Sequence, residues 1–139
     1  MKRSIFILFV LSVLLILGGI RIFAQTEEPG EVLISIHNVA PGKHLDFLKW
    51  QAKNEAINKE AGAPPTQWYV HQDGASWDYI AINPVLTPEQ DKKVEELQKQ
   101  KGMPTGFKAG LHFRTFVTSH TDTFARGPVS ASELVKMAE

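Results

Sequence analysis

Three apolar patterns follow one another along the chain: an unbroken run, alternation with period two, and helical spacing. The unbroken run comes first, from Ile5 to Leu17 with only Ser12 interrupting it, behind a basic head of Lys2 and Arg3 and ahead of Gly18 and Gly19. That layout is the h-region of a secretory signal peptide, with Ala24 before the cut, although Ile22 is bulkier than the usual small residue there. A retained helix is the competing reading, since Ser4 to Ile20 approaches the roughly 18 apolar residues that span a bilayer. Residues 1–24 are therefore expected to be a signal peptide or an N-terminal membrane anchor, and the protein to be exported: periplasmic or secreted, or membrane-anchored if the segment stays. Residues 25–31, polar with Pro29 and Gly30, read as a tether.

Beyond the tether the patterns alternate. Val32 to Val39 (VLISIHNV) is β-branched and predicts a strand with Val32, Ile34 and Ile36 on one face and Leu33, Ser35 and His37 on the other. Lys43 to Ala61 repeats apolar residues at helical spacing and ends at Gly62. Two strands, Thr66 to Gln72 and Ser76 to Asn83, flank the turn Asp73-Gly74-Ala75 and predict a hairpin. Thr87-Pro88-Glu89-Gln90 has the form of a capping box opening a second helix to about Gln100. Lys108 to Thr118 alternates and is expected to be the last strand, with Leu111 and Phe113 opposite His112 and Arg114. Ser119 to Gly127 is expected to be irregular, and Ser130 to cap a short helix over Ala131 to Met137.

The order strand, helix, strand, strand, helix, strand predicts an α+β, ferredoxin-like domain over residues 32–118, with a four-stranded antiparallel sheet and a C-terminal extension over 119–139. The turn Asn38-Val39-Ala40-Pro41-Gly42-Lys43-His44-Leu45-Asp46-Phe47 and this order resemble the dimeric α/β-barrel superfamily, which includes NIPSNAP-like, EthD-like and antibiotic-biosynthesis-monooxygenase-like proteins. The resemblance implies a homodimer whose sheets pack face to face, and a small-molecule cavity between each sheet and its helices. It carries no catalytic residue onto this chain.

Composition narrows the chemistry. There is no cysteine, so lipidation at a signal-peptidase site, disulfides and thiolate chemistry are excluded. Past residue 24 the chain holds 12 basic and 15 acidic residues, a formal charge of −3 with scattered Lys and Arg, which argues against a nucleic-acid partner. No histidine pair has metal-binding helical spacing, so no metal site is expected, and no cofactor can be named.

The candidate catalytic residues are His37, His112 and Arg114, which share a sheet face if the apolar faces of their strands meet the helices. The candidate ligand-binding residues are His71 and the aromatic wall Trp68, Tyr69, Trp77 and Tyr79, together with His120 and Asp122. Asp122 could orient His120 or, the reading adopted here, satisfy turn backbone groups. Trp50 is assigned to the core. Two functions follow as expectations. One is a cell-envelope protein that binds a small apolar or aromatic molecule. The other, resting on the resemblance, is a cofactor-independent monooxygenase-like or haem-degrading enzyme.

Overall fold

The computed structural model describes residues 30–74 and 76–139. The export segment, and the tether up to residue 29, lie outside these residues. The elements are β1 (Gly30–Val39), α1 (His44–Ala61), β2 (Gln67–Val70), β3 (Tyr79–Pro84), α2 (Pro88–Gln100), α3 (Gly106–Arg114), β4 (Val117–Gly127) and α4 (Ala131–Ala138). The strands form one sheet in the order β2-β3-β1-β4, with every neighbouring pair antiparallel. This is the ferredoxin-like arrangement, with α3 inserted before the last strand. Among the described residues no helix is long and apolar enough to cross a membrane.

Local sequence explains where the helices stop and start. Gly62 takes the left-handed conformation (φ 85°) after α1, and the amides of Gly62 and Ala63 donate to the carbonyls of Lys59 and Asn58 at 3.0 and 2.9 Å. Those bonds satisfy carbonyls that the end of a helix leaves without partners. Thr87 accepts from the Gln90 amide at 3.2 Å while the Gln90 side chain accepts from the Thr87 amide at 3.0 Å, closing the capping box of α2. Gln90 also donates to the Gly62 carbonyl at 3.0 Å, tying the start of α2 to the end of α1.

The stretch predicted as the last strand is helical up to Arg114, and the strand lies further on. The alternation of Leu111, Phe113, Thr115 and Val117 competes with a helical stripe of Ala109, Phe113 and Phe116, and it is this stripe that turns inward. Ser119 to Gly127 lacks an apolar rhythm because β4 is an edge strand with much of its length in water. It nevertheless pairs with β1 from Gly30↔Gly127 to Val39↔Val117, with a register shift between Asn38 and Val39. Gly30 and Glu31, expected in the tether, open β1.

The core is two patches. Val39, Phe47 and Phe116 are buried where α1 crosses the sheet, and Ile57, Ala61 and Val94 where α1 meets α2. Phe47 is fully buried, and its ring lies 5.8 Å from that of Tyr79 and 6.4 Å from those of Phe113 and Phe116. Truncating so enclosed an aromatic leaves a cavity its neighbours cannot fill, so Phe47→Ala is expected to lower unfolding free energy by about 3–5 kcal/mol in chemical denaturation.

Candidate functional site

Successive side chains of a strand point to opposite faces, so β1 decides what each side of the sheet receives. Ser35 and His37 are buried at 6% and 4% exposure beneath the helices, whereas Val32, Ile34 and Ile36 are half-buried on the opposite face, uncovered among the described residues. The expectation that the apolar face meets the helices is thereby reversed. Antiparallel register extends the helix-side rows across the sheet: Tyr79, His37 and His120 in one, Ala81, Ser35 and Asp122 in the next.

Those rows floor a cavity of about 370 Å³ roofed by α1 and α3. His37, Trp68, His120 and Asp122 line it, with Trp50 from α1 and Phe113 from α3. Where α3 passes over it the helix carries Ala109 and Gly110, and a side chain added at Gly110 would meet open space. Helix-interior glycine costs roughly 0.5–1 kcal/mol relative to alanine, so Gly110 leaves space beside the cavity at a cost to the helix.

His37 is packed among rings, 5.2 Å from Phe47, 5.9 Å from Trp68 in a stacked arrangement and 5.8 Å from Phe113. Its Nδ1 atom is buried without a hydrogen-bond partner, and so is Nε1 of Trp50. Burial holds the His37 pKa below the ordinary imidazole value of 6.5; the Asp122 carboxylate opposes the shift and His120 adds to it. On β4, His120 Nε2 lies 3.4 Å from Asp122 Oδ2, because residues two apart share a strand face. The segment is a strand, so Asp122 meets His120 rather than closing a turn. Trp68 is held by its indole N–H donating to Glu55 at 2.5 Å.

The other predicted residues fall elsewhere. His112 and Arg114 are exposed on α3, not on a strand; His112 sits 4.8 Å from Phe116 and 5.7 Å from Trp50, outside the cavity lining. His71 follows β2 and packs 5.0 Å from Trp77, its Nε2 buried without a partner. Of His37, His71 and His112, only His37 lines the cavity. The aromatic wall is divided by strand parity. Trp68 and Tyr79 face the helices, Tyr69 is 52% exposed on the open face, and Trp77 precedes β3. Trp50, Ser35, Gln51 and Asn83 line the cavity but were not singled out; helical position alone does not distinguish a core tryptophan from one at a cavity roof.

Among the described residues no three His, Asp or Glu side chains are grouped to hold a metal ion. A larger cavity, about 580 Å³, lies between α1 and the Ala63–Thr66 segment, but neither orphaned ring nitrogen of His37 or Trp50 belongs to its lining.

No family model and no curated protein sequence matches the chain. Among solved structures it is similar to a protein named "putative Antibiotic biosynthesis monooxygenase" from Chloroflexus aurantiacus J-10-fl, at 20% identity and a TM-score of 0.38, over 72% of this chain and 96% of that one. The fold assignment rests on strand order and pairing.

The burial of His37 has a measurable consequence. Its NMR titration midpoint is expected below 6.5. Between that midpoint and 6.5 the unfolded chain binds the extra proton, so His37 makes stability fall as pH drops through this window and level off beneath it. His37→Gln should remove that component from the pH dependence of unfolding.

Proposed function

We propose that this protein is exported by residues 1–24, forms a homodimer through the uncovered sheet face, and binds a small neutral aromatic molecule in the cavity between sheet and helices. The binding reading rests on one observation above all: the cavity's lining holds two buried ring nitrogens without partners, on His37 and Trp50. A buried unsatisfied polar group costs about 1–3 kcal/mol. Turned toward the cavity, the Trp50 N–H can donate to a ligand hydroxyl or carbonyl that also bonds His37, which relieves both costs, and Trp68 and Phe113 offer faces for its ring. The volume, about 370 Å³, stands at the lower end of small-molecule sites and suits one or two fused rings. The environment disfavours an anion: burial lowers the His37 pKa, the lining contributes no Lys or Arg, and the Asp122 carboxylate can accept from a ligand hydroxyl.

The dimer reading rests on Val32, Ile34, Ile36, Ile80 and Ile82, which form a contiguous apolar strip on the uncovered face. Such a strip marks an association surface. Export rests on the basic head and apolar run of the N-terminus.

The His120–Asp122 contact favours a second reading, in which the same cavity moves a proton on its ligand with His120 or His37 as base. One titration addresses both. Added 2-naphthol should quench the tryptophan fluorescence saturably, and Trp68→Ala or His37→Ala should weaken binding about tenfold or more. In D2O, deuterium entering the naphthol ring faster than in buffer alone supports the proton-moving enzyme, and no such acceleration supports binding alone. No saturable quenching at millimolar naphthol would count against the cavity as a site for neutral aromatics.

A further inference from the structure

The last helix is built to be a helix and yet touches little. Ser130 and Glu133 form a full capping box at its start, with the Ser130 amide donating to Glu133 at 2.6 Å. Ala131, Leu134, Val135 and Ala138 make an apolar stripe at the spacing i, i+3, i+4, i+7, against Ser132, Glu133 and Lys136. All eight residues are exposed, Leu134 at 51%, Val135 at 55% and Met137 at 70%. A helix this short is marginal in water without a surface to pack on.

The same chain carries a matching surface. A groove of about 740 Å³ runs along the side of the sheet away from the helices, lined by Val32, Ile82, Pro84, Val85, Gly127 and Pro128, with Glu31 and Gln67 also in its wall. Residues 128–130 are the whole link between β4 and α4, so the helix departs from the edge of the groove while its own apolar stripe remains outside it. The groove is continuous, through Val32 and Ile82, with the apolar strip assigned to the dimer contact.

We infer that α4 is an exchanged arm, packing its Leu134–Val135 stripe into the partner's groove in the homodimer proposed above, on which this inference rests. Two-fold symmetry makes the contact reciprocal, so each arm covers the groove that the other protomer leaves open. A second copy suits α4 better than a lipid surface. The helix and its end carry Glu133 and Glu139 against Lys136, the opposite of the basic polar face that binds anionic bilayers.

The chain's lack of cysteine makes the test clean. The full chain carrying both Val135→Cys and Val85→Cys is oxidised and run without reductant, beside the two single variants. A covalent two-chain species, formed by the double variant and by a mixture of the two singles, is the expected result. A one-chain product with its thiols consumed would show that α4 folds onto its own groove. Thiols that stay free, in solution or with α4 bound to added phosphatidylglycerol vesicles, would equally overturn the inference. Sedimentation of the unaltered chain separates the two levels. A two-subunit species without the cross-link sinks the exchanged arm alone, and a single-subunit species sinks the dimer with it. Leu134→Glu should raise the dimer dissociation constant about tenfold or more with the helical circular dichroism retained.

Discussion

A polar residue buried beneath the helices, where an apolar one would serve packing better, is the constraint from which the rest of this structure follows. The inward row of β1 holds Ser35 and His37, and its outward row holds Val32, Ile34 and Ile36. A sheet that packed for stability alone would exchange the rows, because buried polar groups are costly unless bonded. With this assignment the covered side acquires hydrogen-bonding chemistry inside an aromatic cage, and the uncovered side is left apolar.

Both consequences reach outward through neighbouring strands. Register places His120 and Asp122 beside His37 and Ser35, so the cavity gains a second imidazole with a carboxylate next to it. On the other face Ile80 and Ile82 lie against Ile36 and Ile34, widening the apolar strip. The buried core is small and split into two patches, so much of the apolar surface of the sheet stays outside it. The cavity under the helices and the apolar strip on the opposite face are the two sides of one choice of strand phase.

Much of this fold can be read from the residues, and the part that cannot has physical causes. The helical spacing of apolar residues in α1, the Gly62 stop and the Thr87–Gln90 box are local signals, and each reads directly as structure. Strand phase is not local: Ile34-Ser35-Ile36-His37 alternates, with the apolar Leu33 on the polar row, and only the completed sheet decides which face the helices cover. Around Phe113, period two and helical spacing coexist, and the contact of Phe113 and Phe116 with Trp50, at 6.0 and 5.7 Å, belongs to the helical solution. With the strand at Val117–Gly127, His112 and Arg114 lie on α3 outside the cavity lining, and His120 and Asp122, expected in an irregular tail, share a strand face in it. Trp50 shows the limit from the other direction, since its place over the cavity depends on where α3 lies.

The central claim is that the cavity beneath α1 and α3 holds a small aromatic molecule in a two-subunit protein. Native mass spectrometry of the protein isolated from its own cells tests it most directly. The account predicts a two-subunit mass carrying excess small-molecule mass that is released on activation and lost in His37→Ala. A bare single-subunit mass, retained at high protein concentration, would contradict it.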